Sequence, residues 1–343
     1  MTTTITTAIP TYRRPKQLAE CLESVFRQSR LPDRIVVGDD AADPATEAVC
    51  RSFGDPRLTY IARRPRTRMT DNWDFVMRWA PDGLVALLED DNLWLPNHLE
   101  HAESTLVAFP EASLYHDGHK EAWRRGGELE VTKVFTPPWH ERCPAEGRIV
   151  STAAVILDAL ACGSINSSTV VVRREVMDRV PRFDPRFLMG MDTLQWARIA
   201  MVAPVVYGPW IGTIYTYHSG NVSLAEVAAR RAGRQARGAR RLLLQQALAE
   251  KLLDTKILDE WLRALPPPEA AFVLTMFAHG ETPVEVRRVA QNVWRGRRDL
   301  RGASGYLRAS RYLGFAALVH ADTFDALLGL AARLRPGMVA EAH

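Results

Sequence analysis

Three acidic groupings hold most of the chemistry this chain could perform: Asp39-Asp40, Asp90-Asp91 and Asp192. Adjacent carboxylates repel one another and are expensive to desolvate unless positive charge neutralises them. Asp90-Asp91-Asn92 therefore points to a divalent cation. Mg²⁺ or Mn²⁺ needs few protein ligands, since one or two carboxylates suffice when phosphate oxygens and water complete an octahedral shell. The competing reading of such a pair before a helix is a cap with a neighbouring surface charge. Asp39-Asp40 repeats the arrangement at a place where α/β nucleotide binders put an acid near a base or ribose. The run from Asp39 to Asp43 also has turn and cap chemistry of its own. Asp192 lies in Met189-Gly190-Met191-Asp192-Thr193 and is placed to cap a helix or to act as a general base. A base there would take the proton of an attacking hydroxyl, a contribution of roughly 10² to 10⁴ in rate. Thr11-Tyr12 offers a hydroxyl and a ring face at which a nucleotide base can stack.

The elements that must position these residues can be read from periodicity. Residues 4 to 8 are β-rich and are followed by Pro10 and Pro15, so a strand and then a turn are expected. Leu18, Leu22, Val25 and Phe26 recur at helical spacing from Lys16 to Gln28. A second strand at 35 to 37 ends in Gly38-Asp39-Asp40, and Pro44 opens a second helix. Residues 58 to 62 read as a third strand, Asp71 as the cap of a helix carrying Trp73, Val76 and Met77, and residues 84 to 88 as a fully buried strand. This alternation predicts an α/β fold with a mainly parallel sheet flanked by helices. Ligands of open α/β sheets bind outside the carboxyl ends of the strands, so the polar clusters can converge on one site. A helix is expected at 97 to 109, a strand at 113 to 116, and an irregular stretch from 118 to 147. Beyond these lie a strand at 168 to 172, a helix at 192 to 201 and a β segment at 212 to 217. From 224 onward Ala, Leu and Arg dominate and a helical C-terminal region is expected, with Trp261, Phe272, Phe277 and Trp294 in its core.

Taken in order, Pro10-Thr11-Tyr12-Arg13-Arg14, Gly38-Asp39-Asp40, Asn72-Trp73, Glu89-Asp90-Asp91-Asn92, Asp192 with Trp196 and Arg198, and Tyr217-His218-Ser219-Gly220-Asn221 resemble the family 2 glycosyltransferases of the GT-A fold over about residues 3 to 224. The resemblance implies a catalytic domain over residues 1 to 223 and a helical region over 224 to 343 for acceptor binding or dimerisation. It implies that Asp40 contacts the nucleotide base, with Pro10, Thr11, Tyr12 and Arg13 around the same pocket and Asp90 toward the ribose. It makes Asp91 a metal ligand, with His218 and Asn221 on a loop near the metal and diphosphate, and it makes Asp192 the catalytic base, supported by Asn72, Trp196 and Arg198. Arg68 falls where a cation would meet the donor, with Arg63, Arg64 and Arg66 competing for that role. Arg13 stands where the family commonly has Asn, and Ala41-Ala42 where Gly-Ser is frequent. The Gln-x-x-Arg-Trp signature of processive synthases is absent. The expected activity is thus inverting, metal-assisted transfer of one sugar from a UDP- or dTDP-linked donor to an acceptor hydroxyl.

Composition narrows the alternatives. The chain has 343 residues, 47% hydrophobic and 24% charged, a balance that excludes disordered, collagenous and disulfide-dense classes. Four cysteines without a Cys-x-x-Cys pair suggest neither a zinc site nor a disulfide framework, and free thiols fit a cytoplasmic protein. The N-terminus lacks an export pattern, and the most apolar window, 312 to 330, is broken by His320, Asp322 and Asp325, so no membrane span is expected. A nucleotidyltransferase would show a glycine-rich loop after the first strand, and residues 10 to 15 contain no glycine. A phosphate-binding module would use Arg230, Arg231, Arg234, Arg237, Arg240 and Arg241 as a stripe of charge; such a face is also commonly just solvated. A homodimer through the C-terminal helices is a further expectation.

Overall fold

The computed structural model describes residues 3–125, 127–228, 232–278 and 282–297. The chain begins with β1 (Ile5–Thr11), α1 (Pro15–Phe26), β2 (Arg34–Asp39), α2 (Pro44–Ser52), β3 (Leu58–Ala62), α3 (Met69–Trp79) and β4 (Leu84–Leu87). All seven residues of β1 are buried, as a central strand covered on both faces requires. Pro15 opens α1 with a preset φ, and Leu18, Cys21, Leu22 and Val25 form its buried stripe. Asp43 caps α2 by accepting from the Ala45 amide. There follow β5 (Leu93–Trp94), α4 (His98–Ala108), β6 (Leu114–Arg125), β7 (Glu128–Phe135), β8 (Arg148–Val150) and α5 (Thr152–Ala161). A short 3₁₀ turn (Ser167–Thr169) leads into β9 (Val171–Arg173), α6 (Val176–Arg179), α7 (Met191–Val202) and β10 (Val205–Tyr217). The remaining helices are α8 (Val222–Ala228), α9 (Ala232–Ala249), α10 (Thr255–Ala264), α11 (Pro267–Ala278) and α12 (Val284–Gly296).

The sheet runs β3-β2-β1-β4-β9-β6-β10-β5, with β7 on β6 and β8 on β10. Strands β3, β2, β1 and β4 are mutually parallel, and β6 is parallel to β10. β9 enters antiparallel between β4 and β6, so the sheet is mixed. The register sets Thr11 opposite Asp39 and Ala8 opposite Leu87, which places the segments that follow β1, β2 and β4 along one edge.

Three local expectations are corrected. β1 does not stop before Pro10 but continues to Thr11. β4 pairs with β1 only as far as Ala8, so Pro10 has a ladder neighbour on one side alone and its missing N–H costs little. Asp71 is not the cap of α3; it sits in the first turn and accepts from the amide of Arg68, the capping position, at 3.4 Å. The stretch from 118 to 135 is not irregular, because β6 and β7 form a long antiparallel pair, and only 136 to 147 lacks strand and helix as expected. β6 buries His116, Asp117, His119 and Glu121, and that polar content hides its strand character.

The chain divides into two compact units. One comprises residues 1–152, 164–185 and 198–218 and contains the whole sheet. The other takes residues 153–163 and 186–197 together with the chain from 219 onward. In the second unit Leu258, Leu262, Phe272, Phe277, Val286 and Val293 are buried, whereas Trp294 is 39% exposed and lies outside the core where it was expected. No helix among the described residues is long and apolar enough to cross a membrane; the window at 312 to 330 lies outside those residues.

Candidate active site

The ends of β1 and β4 meet in a compact charged cluster. Asp90, 79 residues from Thr11 in sequence, accepts from the Thr11 hydroxyl at 2.6 Å and from the Tyr12 amide at 3.4 Å. Arg14 Nη1 donates to Asp90 at 3.0 Å and to Asp91 at 2.6 Å. His218, just beyond β10, brings Nε2 to 3.0 Å from Asp91 Oδ2. Thr216 anchors the same junction, its hydroxyl donating to the Asp91 carbonyl and its amide accepted by Asn92 Oδ1. Asn92 donates in turn to Glu89 and Ser168, each at 2.9 Å, so the turn after β4 is held from several sides.

The electrostatics follow from burial. Desolvation pushes the Asp90 carboxyl up to about 6, reinforced by Asp91 and opposed by Arg14 and Thr11. Burial works to lower Arg14, but the attraction of Asp90 and Asp91 outweighs it and the guanidinium stays above its ordinary value. Arg14 is the member of the site that sequence reasoning left without a role. Its signal was indirect: two adjacent acids demand a cation, and the cation stands 76 residues away in the loop after β1.

The segment after β2 builds a second wall. Asp39 is consumed by the turn, accepting from the amides of Ala41 and Asp43 and from the Tyr60 hydroxyl. Asp40 instead receives the Thr67 amide and hydroxyl, both at 2.6 Å, and fastens the 63–68 loop to the end of β2. Among the four candidate arginines, Arg66 lies nearest to both ends of this wall, 3.9 Å from Asp40 and with its guanidinium 4.4 Å from the Tyr12 ring centroid. Arg63 covers Phe75, and exposed Arg68 occupies the capping position of α3. Arg13 lies over the other neighbourhood of Tyr12 at 5.3 Å with φ of 56°, and Ala42 has φ of 49°. The left-handed conformation of Arg13 is one that Asn adopts readily, whereas Ala42 takes it without the ease that Asn or Gly would bring. Asn72 is buried and donates to the Gly38 carbonyl at 2.7 Å; a Cβ on Gly38 would lie 2.7 Å from Asn72 Oδ1 and 2.6 Å from Val76.

Among the described residues no group of three or more His, Cys, Asp or Glu side chains could hold a metal ion unaided. Asp91 and His218 nevertheless converge, and a carboxylate with an imidazole fits a cation whose other positions are filled by diphosphate oxygens and water. Asp192 occupies the first turn of α7 in the second unit. Trp196 and Arg198 are buried further along α7, and Asn221 is buried directly before α8. In the arginine stripe, Arg240 is 1% exposed and so faces the interior, Arg234 is exposed, and Arg230 and Arg231 lie outside the described residues.

Comparison with known proteins places this geometry. The family model described as Glycosyl transferase family 2 matches residues 6–120, the stretch that holds Thr11, Arg14, Asp40, Asp90 and Asp91. The uncharacterized protein y4gI of Sinorhizobium fredii (strain NBRC 101917 / NGR234) is 26% identical over 140 residues, 40% of this chain and 15% of that relative, so the chain spans only a small part of its length. Among solved structures, S. aureus TarS 1-349 in complex with UDP superposes with a TM-score of 0.51 at 14% identity, covering 90% of this chain and 91% of that one. The same TarS fragment with UDP-GlcNAc gives a TM-score of 0.52 at 14% identity, with coverage of 90% and 91%. The mannosyltransferase PcManGT of Pyrobaculum calidifontis, in complex with GDP-Man and Mn²⁺, gives 0.52 at 15% identity and covers 98% of this chain and 88% of its own. At these identities the likeness is one of fold. The match to the glycosyl transferase family 2 model is thus confined to residues 6–120, and the fold is one that the chain shares with the TarS and PcManGT structures.

Proposed function

We propose that the protein is an inverting, non-processive glycosyltransferase that moves one sugar from a nucleotide-diphosphate donor to an acceptor hydroxyl with the help of Mn²⁺ or Mg²⁺. The observation that carries this reading is the meeting of Asp90, Asp91, Arg14 and His218 at the carboxyl ends of the strands. UDP- and dTDP-linked donors are the first to test; the similar structures hold UDP, UDP-GlcNAc and GDP-Man, which widens the set worth testing.

In this reading Tyr12, Thr11 and Asp40 receive the nucleoside and Asp90 the ribose, while Asp91 with His218 would hold a cation that serves the diphosphate. When bound, the cation stabilises the negative charge that develops on the leaving diphosphate, an interaction stronger in the transition state than in the ground state. Arg14 lies where it can neutralise the same acids before a donor arrives. Asp192 accepts the proton of the acceptor hydroxyl. The hydroxyl oxygen attacks the anomeric carbon from the face opposite the diphosphate, the old carbon–oxygen bond breaks, and its electron pair leaves with the nucleoside diphosphate. Configuration inverts and no covalent sugar–enzyme intermediate is needed.

The test combines two measurements. Calorimetric titration with UDP, dTDP and GDP should give affinity that falls by at least about tenfold when EDTA replaces Mn²⁺, and equal affinity in both conditions would rule out a cation at Asp91. Asp192→Asn should keep nucleotide binding and the thermal midpoint while transfer drops by roughly 10² to 10⁴. Turnover at the normal rate would end the base assignment, and a large fall in midpoint would make Asp192 a stabilising charge in the first turn of α7 instead.

A further inference from the structure

The second unit contains a buried charge with no obvious structural reason for being there. Arg240, on α9, is 1% exposed, yet none of its hydrogen bonds reaches a carboxylate among the described residues. Nη1 donates to the Ala236 carbonyl of its own helix at 3.3 Å and Nη2 to the Cys162 carbonyl at 3.4 Å. Nε is buried without a partner, and the guanidinium lies 5.6 Å from the Phe272 ring on α11. Two long bonds to neutral carbonyls do not offset the desolvation of a guanidinium, and a similarly shaped apolar residue would pack there at lower cost.

What the guanidinium does face is the segment that delivers Asp192. A Cβ on Gly190, two residues before Asp192, would lie 3.9 Å from Arg240 Nη1 and 3.3 Å from Ala239 Cβ. Gly190 adopts φ of 87°, so the turn into α7 is formed where only a residue without a side chain fits against α9. One helical step away, Gln235 Oε1 accepts from the Met189 amide at 3.1 Å. The end of α5 also closes in, for a Cβ on Gly163 would lie 2.9 Å from Thr193. α9 therefore grips the turn at 189 and 190 with one face, Gln235 to Arg240, and α5 braces the next residue but two.

We infer that Arg240 is a positioning residue for Asp192, a fixed buried cation that, with Gln235, sets the turn from which that carboxylate projects. The inference rests on the reading of Asp192 as the base. The charged and titratable groups that face Arg240 agree with it: Cys162 and Asp158 on or beside α5 and Asp192 on α7 all act to raise its pKa, against the larger effect of burial, which brings it down to about 10. The C-terminal helices thereby acquire a role in the chemistry beyond covering a core.

The test uses the full chain with Arg240→Met and Arg240→Lys, alone and combined with Asp192→Asn. With UDP-GlcNAc or GDP-mannose as donor and Mn²⁺ present, release of the nucleoside diphosphate should slow about tenfold in kcat for Arg240→Met, with KM for the donor unchanged. Arg240→Lys should recover most of the rate, and Arg240→Met should add nothing in the Asp192→Asn background. The thermal midpoints of the two single variants should also be non-additive in the double variant, a readout that needs no turnover. A wild-type kcat in Arg240→Met, an equal further loss in the Asp192→Asn background, or additive midpoints would each overturn the inference. If Asp192→Asn itself turns over normally, the base reading fails; if that variant is inactive while Arg240→Met is not, only the role of Arg240 fails.

Discussion

Two of the carboxylate–histidine pairs at this sheet, both within 3.0 Å, sit in surroundings that differ in every respect that matters for reactivity. Asp91 and His218, 3.0 Å apart, follow β4 and β10 at the edge of the sheet, and the third partner of Asp91 is the long side chain of Arg14, itself 20% exposed. Asp117 and His98, 2.9 Å apart, are fully buried between β6 and α4, and the third partner of Asp117 is the Tyr115 hydroxyl at 3.0 Å. Gly212 seals that interior pair, for a Cβ there would lie 2.1 Å from Asp117 Oδ2 and 2.2 Å from His98 Nδ1. A guanidinium on a flexible stem is a partner that can give way to another cation, whereas a packed phenol under a glycine cannot be exchanged without moving backbone. On the proposed function, the same residue types would serve chemistry at the strand ends and architecture inside.

The largest effect should come from breaking the outer pair. Asp91→Asn is expected to lower kcat/KM for transfer by roughly 10³, as loss of a charge-stabilising group at the leaving diphosphate does, while the thermal midpoint stays near that of the wild type. Steady-state kinetics with Mn²⁺ and a melting curve on the same sample check this. A large stability loss with normal activity per folded molecule would make the outer pair architectural as well, and the contrast would vanish.

The inner pair should respond in the opposite sense. Asp117→Asn leaves His98 and Tyr115 facing an amide in a sealed space, at a cost of about 3 kcal/mol in unfolding free energy, with transfer per folded molecule preserved. Urea denaturation gives the first quantity and activity normalised to folded protein the second. Loss of activity without loss of stability would show that the interior pair communicates with the chemistry.

How far these roles could be read from the chain depends on where each residue's partners lie. β2, β3 and α2 were legible because apolar runs end in Gly, Pro or Asp within a few residues, so local signals and tertiary structure agree. The polar clusters after β1, β2 and β4 were expected to share a site because parallel strands align their carboxyl ends, and the register of Thr11 with Asp39 follows that rule. Arg14 was illegible as a member of the site because its partners are 76 and 77 residues distant. β6 was missed beyond residue 116 because His116, Asp117, His119 and Glu121 are polar residues in buried strand positions, which sequence patterns assign to loops. The doubled acid after β2 divides the two readings offered for it: Asp39 closes the turn, and Asp40 reaches outward to Thr67.

The smallest of the three effects sharpens the comparison through pH. His116 is buried against the rings of Trp139 and Tyr207, and burial pushes its pKa down to about 3 against a weaker opposing contribution from the Asp117 backbone. An unfolded histidine titrates near 6.5, so below that pH the unfolded chain binds a proton that the folded protein refuses. The contribution of His116 to stability is therefore intact above about 6.5 and is lost as pH falls toward 3, at about 1.4 kcal/mol per pH unit. His116→Leu should remove that slope. Unfolding free energies from urea denaturation between pH 6.5 and 4.5 should diverge for the two proteins by this amount per unit, the variant losing less on acidification. His119, also brought down to about 3 by burial, remains in both and supplies a common background. Parallel curves would mean that His116 takes up its proton within the folded state, and the interior of the sheet would then be as open to exchange as its edge.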